Sequence, residues 1–174
     1  QASANAVATT YAANELNQYV DIDEGAVVPT YDADGNMLSY GSKNYTWDAE
    51  NRLVRAAPRV LVTGSKIYDY VYDYRSRRIK KTERRHTMME STWTKRTFDY
   101  DDWNLVRERV EFNGEIATNH YVWGLDLSGS LQGAGGVGGL LMQRRSDVES
   151  PWFSFCDANG NVTDLVDDEG TVVA

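Results

Sequence analysis

At 174 residues the chain is long enough for one domain, and with 41% hydrophobic residues it holds no apolar run able to span a membrane as a helix. Its net charge of −8 makes it a poor overall ligand for nucleic acid or an anionic membrane, and its one cysteine, Cys156, allows neither an internal disulfide nor a zinc-type cysteine pair. Eleven Tyr and five Trp outnumber four Phe, a bias that suits half-exposed sheet faces where the ring packs and the polar atom reaches water.

Residues 1–20 read two ways. The Ala- and Asn-rich run to Gln18 suits a helix, but Val7, Thr9 and Tyr11 alternate and predict a strand from about Val7. An acidic connection, Asp21 to Pro29, follows. Tyr31-Asp32-Ala33-Asp34-Gly35-Asn36-Met37 then predicts a first tight turn, and Tyr45-Thr46-Trp47-Asp48-Ala49-Glu50-Asn51-Arg52-Leu53 a second. In the second, Tyr45 and Trp47 share one face of a strand, Asp48 opens the turn by bonding N–H groups ahead of it, and Asn51 suits a left-handed backbone. That is a type I turn closed by a bulge residue, after which Leu53 restarts the apolar face. Asp32 and Gly35 take the same two roles in the first turn. The grammar returns at Asp73 with Ser76, Asp101 with Asn104, Asp157 with Gly160 and Asp167 with Gly170, and in degenerate form at Asn14 and Asn17. The spacing is uneven, so the repeated unit is one hairpin with variable connections, not a rung of fixed length.

Between the turns, Leu38 to Tyr40 and Leu53 to Ala56 read as return strands, and Val60 to Thr63, Gly64-Ser65 and Ile67 to Tyr72 as strand, turn and strand. Tyr68, Tyr70 and Tyr72 share a face and are expected to stack on aromatic rings of neighbouring strands. Residues 75–96 are locally basic (Arg75, Arg77, Arg78, Lys80, Lys81, Arg84, Arg85), either a solvated strand face balanced by acidic neighbours or a groove for a polyanion. Trp93 to Asp99 and Leu105 to Phe112 are strands about Asp101; Asn113-Gly114 is a two-residue hairpin turn, and Ile116 to Trp123 returns from it. Gly129, Gly133, Gly135, Gly136, Gly138 and Gly139 break the rhythm as a flexible or closely packed loop, and residues 151–174 resume it.

Chemistry-bearing patterns are sparse. Gly133-Ala134-Gly135-Gly136-Val137-Gly138 matches G-x-G-x-x-G, but no helix cap or second parallel strand follows. Asp32 to Asn36 and Asp167 to Gly170 lack the bidentate Glu of a calcium loop. His86, His120 and Cys156 sit in no nucleophile elbow, and the paired carboxylates sit at turns, where acids are wanted structurally. The sequence therefore assigns no catalytic residue, metal ligand or cofactor, and the chain is expected not to be an enzyme.

The Tyr-Asp corner unit resembles the YD repeat of RHS-repeat proteins, most closely at Tyr31 to Met37 and Tyr45 to Leu53. Asn14 to Tyr19 is similar to a segment that precedes such repeats, and Tyr121-Val122-Trp123-Gly124-Leu125-Asp126 with its glycine run is similar to the start of the RHS-associated core. The resemblance implies an all-β fold: consecutive antiparallel hairpins forming a curved, spiral β-sheet shell segment, with a YD-repeat region over 1–123 and the start of the core region over 124–174. It implies a structural part in a secreted or cell-surface shell, a cocoon that encapsulates or delivers a toxin or effector, with the rest of the shell and the enclosed effector as partners. The chain begins and stops within the pattern and is expected to be a piece of a longer polypeptide. The aspartyl self-cleaving element that such cores can include has no matching residue here. Asp32, Gly35, Asp48, Asn51, Asp73, Asp101, Asn104, Asp157 and Gly160 are then structural turn residues. Open strand edges predict a homo-oligomer or filament by strand addition. The alternative is a carbohydrate-binding or cell-surface adhesion module, with Trp47 and Trp93 stacking on a glycan.

Overall fold

The computed structural model describes residues 10–22 and 28–173. Val7 and Thr9 of the first expected strand, and residues 23–27 of the acidic connection, lie outside the described residues. Among those described the secondary structure is entirely β: β1 (Tyr11–Ala13), β2 (Tyr19–Ile22), β3 (Thr30–Tyr31), β4 (Met37–Tyr40), β5 (Lys43–Trp47), β6 (Leu53–Pro58) and β7 (Lys66–Tyr72), followed by β8 (Arg78–Arg85), β9 (Thr92–Asp101), β10 (Asn104–Phe112), β11 (Glu115–Trp123), β12 (Leu140–Arg145), β13 (Trp152–Cys156) and β14 (Val162–Val166). β1 and β2 pair with each other, and the other twelve strands form one open antiparallel sheet in strict chain order from β3 to β14. Each strand thus pairs with its sequence neighbour, as successive hairpins require.

Two parts of the chain depart from the expected elements. Val60 to Thr63 is an exposed loop, not a strand: Pro58 ends β6 without an N–H to donate, and the pairing with β5 runs out one place later with the Arg59 N–H on the Ser42 carbonyl at 2.8 Å. The glycine run gives way at Leu140 to β12, which pairs antiparallel with β11 and so adds a strand that the glycines concealed. Asn113 (φ 50°) and Gly114 (φ 87°) do form the two-residue turn between β10 and β11.

The described residues fall into two compact units. One holds those up to Asp69 together with Arg84–Ser91, the other Tyr70–Glu83 together with those from Thr92 onward. In the first, the buried residues are Ile22, Pro29, Ser39, Ala56 and Ile67; in the second they are the polar Asn104, Glu108 and Asp126 with Gly136 and Gly139 of the glycine run. Among the described residues no large side chain is fully buried. Strands contact their ladder neighbours and no second layer among the described residues covers them, so side chains on both faces of the sheet remain partly exposed.

Candidate functional site

The acidic corners are built alike. At Asp48 one carboxylate oxygen accepts the backbone N–H groups of Glu50 and Arg52, both at 3.0 Å. The Asn51 N–H bonds the Asp48 carbonyl and the Asp48 N–H bonds the Arg52 carbonyl, each at 3.0 Å, while Asn51 takes the left-handed φ of 59°. Asp32 binds the N–H groups of Asp34 and Asn36 with Gly35 at φ 87°; Asp73 those of Arg75 and Arg77 with Ser76 at φ 61°; Asp157 those of Asn159 and Asn161 with Gly160 at φ 80°. Asp167 and Gly170 repeat the arrangement, as do Asn14 and Asn17. The turn aims several N–H groups at one side-chain oxygen, and the left-handed residue lets the chain rejoin the ladder. Register shifts at Thr30/Tyr31, Thr46/Trp47 and Phe155/Cys156 fall just before Asp32, Asp48 and Asp157.

A residue that sequence reasoning passed over completes most corners. Asn36 Nδ2 (3.0 Å), Arg52 Nε (2.8 Å), Arg77 Nε (2.8 Å) and Asn161 Nδ2 (2.9 Å) each donate to the second carboxylate oxygen of the Asp four positions earlier. The signal was an Asn or Arg at that fixed offset. These bonds hold the carboxyls below the usual range: foremost the side-chain amides of Asn36 and Asn161 at Asp32 and Asp157, and the Arg52 N–H at Asp48. At Asp73 burial opposes the shift most strongly, but the bonds from Arg77 and Arg75 outweigh it.

The Asp101 corner corrects the expectation. Asn104 pairs directly with Asp101 across the hairpin, so Asp102 (φ 48°) and Trp103 alone make the turn, and no backbone N–H is capped by the Asp101 carboxylate. A distant side chain takes over the capping: Gln132 Oε1 accepts the Trp103 N–H at 2.9 Å, and Gln132 Nε2 donates to the Asp101 carbonyl at 3.0 Å. Asn104 is not left-handed but buried, 5% exposed, with its unpartnered Oδ1 against Gly136.

Gln132 belongs to the glycine-rich loop, which is folded around Asp126. The sequence Asp126-Leu127-Ser128-Gly129 repeats the corner grammar, with Gly129 at φ 74° and the Ser128 N–H on Asp126 Oδ1 at 2.9 Å. Here the second oxygen, Oδ2, caps the glycine loop instead, accepting the N–H groups of Ala134 (2.6 Å) and Gly136 (3.2 Å). Led by the Ser128 hydroxyl, these donors pull the carboxyl, only 6% exposed, down to about 2. The loop then lies against the Asp157 corner: a Cβ on Gly160 would meet Val137 Cγ1 at 2.5 Å and Gly138 N at 2.8 Å. The G-x-G-x-x-G match is therefore a close-packed clasp whose N–H groups at 134 and 136 are already taken.

The basic segment is largely neutralised within its units. Arg77 pairs with Asp73 at 2.7 Å, Arg84 with Asp69 at 3.2 Å, and Arg75 with Asp102. Arginines cover several of the aromatics: Arg78 lies over Tyr70 and Phe98, Arg77 over Tyr100 and Arg75 over Trp103, at 4.9 to 5.6 Å. Tyr11 and Tyr19 pair ring to ring across β1 and β2, with centroids 5.2 Å apart. Trp47, named as a stacking face, is half-buried with its indole N–H on the Met37 carbonyl at 2.8 Å, whereas Trp93 is 37% exposed. Glu108 gathers Arg96 (2.7 Å), Asn119 (2.9 Å) and Tyr121 (3.2 Å); burial pushes its carboxyl up, but these partners bring it below its ordinary value. His86 is half-buried, His120 exposed, and Cys156 half-buried beside a groove of about 350 Å³ shared with Trp123. Among the described residues no cluster of three His, Cys, Asp or Glu is disposed to hold a metal ion.

No protein-family model matches the chain. Among curated proteins it is 26% identical over 161 residues to the tRNA3(Ser)-specific nuclease WapA of Bacillus spizizenii, a match covering 92% of this chain and 6% of that protein. It is 29% identical over 111 residues to the tRNA nuclease WapA of Bacillus subtilis, covering 64% of this chain and 4% of that protein. Crystal structures of TcdB2-TccC3-TEV and TcdB2-TccC3 share its fold with TM-scores of 0.62 and 0.57 at 15% identity, covering 82% of this chain and 7% of each solved chain. The chain thus spans less than a tenth of the length of any of these relatives, and the likeness to the solved structures supports an RHS-like fold.

Proposed function

We infer that the chain is a wall segment of an RHS-type shell that encloses a toxin or other effector, in a secreted or cell-surface protein, and that it performs no reaction itself. One observation carries the reading: a sheet of successive hairpins without a second layer, whose apolar side chains stay exposed. Val122, Met142, Phe153 and Val166 form a row across β11 to β14, with Val122 and Phe153 exposed. Such a row needs covering, and an enclosed chain is a natural cover. The likeness in fold to the TcdB2-TccC3 structures and the sequence similarity to WapA proteins support the assignment. The nuclease activity in the WapA names concerns whole proteins of which this chain matches 6% and 4%.

The remainder of the shell would extend the sheet at its β3 edge and, at the other end, beyond Val172 and Val173, which already bond along the edge of β14. The test is electron microscopy of the natural gene product that carries this chain. A hollow particle with these strands in its wall and density inside is expected; a solid globular fold, or an extended rod with no interior, overturns the reading.

A further inference from the structure

In the first unit the two ends of the strands differ in chemistry. Because successive strands reverse direction, the Asp32 and Asp48 corners lie at one end and the β4–β5, β6–β7 and β8–β9 connections at the other. The corner end is acidic, carrying Asp32, Asp34, Asp48 and Glu50 against Arg52. Asn36 Nδ2 donates to Asn51 Oδ1 at 2.7 Å and ties the two corners together. Beside the first lies a groove of about 420 Å³ lined by Leu16, Gln18, Asp32, Ala33, Asp34 and Gly35. Leu16, Ala33 and Asp34 are exposed there.

The opposite end is apolar and basic. Val60, Leu61, Val62, Met88 and Met89 stand out from it, from 50% exposed at Leu61 to 100% at Met89. Both loops are pinned: the Gly64 N–H bonds the His86 carbonyl and the His86 N–H the Ser65 carbonyl, each at 2.8 Å, and the Ser65 N–H closes a turn onto Val62 at 2.9 Å. Lys43, Arg59, Arg84 and Arg85 surround the tips and are exposed. The acids nearby are Glu90 and Asp69, and Asp69 already holds Arg55 and Arg84.

We propose that this apolar, basic end docks into the acidic groove of a second copy of the same chain, end to end and not strand to strand. Projecting aliphatic tips require cover, and the groove offers Leu16 and Ala33 as an apolar floor with Asp34 at its rim for Arg59 or Arg85. The exposed Asp34 of another copy is a local counterpart for the exposed Arg59 and Arg85, and this local attraction, with the burial of the aliphatic tips, works against the mutual repulsion of two chains of net charge −8. Since the two surfaces differ, the contact is heterologous and adds copies in one direction. It stands independently of the shell reading.

Two double variants of the full chain test it: Leu61→Ser with Met89→Ser removes the tips, and Leu16→Ser with Asp34→Lys removes the groove. All four side chains are exposed, and circular dichroism verifies that the fold is kept. By sedimentation velocity the parent chain should grow with concentration and shrink with added salt, and each variant alone should associate about tenfold more weakly or worse. Mixed together, the variants should form a heterodimer, because one keeps its groove and the other its tips. A parent chain that stays monomeric, a mixture no larger than its separate components, or association untouched by either pair overturns the proposal; the last result would assign self-association to the strand edges.

Discussion

Asp48 shows how much one side chain specifies. Its carboxylate takes two backbone N–H groups and the Arg52 guanidinium, so the turn, the bulge and the return strand share one acceptor. Asp101, at the equivalent place in the sequence pattern, caps no backbone N–H, and Gln132 does that work from 29 residues away. Asp48→Ala should therefore lower the melting temperature by several degrees, while Asp101→Ala should leave it nearly unchanged. Thermal melts of the two variants followed by circular dichroism check this, and equal losses would show that the corner is not held by its carboxylate. The contrast also explains what could be read from sequence. An Asp with a left-handed residue three places on is a local instruction, legible at Asp32, Asp48, Asp73 and Asp157. The fate of Asp101 and Asn104 depends on a loop far along the chain, and no local pattern announces it.

Whole elements were legible where hydrophobic alternation and a corner agreed, as at β5 and β6 or β10 and β11. Val60 to Thr63 misleads because β-branched residues favour strands, yet after Pro58 the backbone there finds no ladder partner. The glycine run hides both β12 and its own order, since the capping of Ala134 and Gly136 by Asp126 is written in a residue before the run. Asp126-x-x-Gly129 was the overlooked sign. The clasp makes a quantitative comparison possible. Gly160 and Gly170 have nearly the same backbone, φ 80° and 84°, but only at Gly160 would a Cβ strike the loop, at Val137 and Gly138. Gly170→Ala should cost about 1 kcal/mol from left-handed strain alone, and Gly160→Ala about 2 kcal/mol or more because the loop must also move. Denaturant midpoints of the two variants measure the difference; equal costs would mean that the loop is not docked on the corner.

For the molecule as a whole, the corners make folding an acid-sensitive event. Asp32, Asp48, Asp73, Asp126 and Asp157 all hold protons less tightly when folded than the 3.8 of a free aspartate, Asp126 down to about 2. Depressed carboxyls stabilise the fold fully above the unfolded value and lose that contribution as pH falls through the folded one. The urea midpoint should accordingly stay level from neutral pH to about pH 5 and then drop steeply toward about pH 2, and Asp126→Asn should make the drop shallower. A midpoint that rises on acidification would contradict the sign. The strict chain order of the strands has a further bearing on descent. Since each strand leans only on the ones before and after it, a hairpin bounded by two equivalent corners can be spliced in or removed while the remaining joints keep their pairing. A lineage can thus lengthen or shorten the sheet by duplication without redesigning any part.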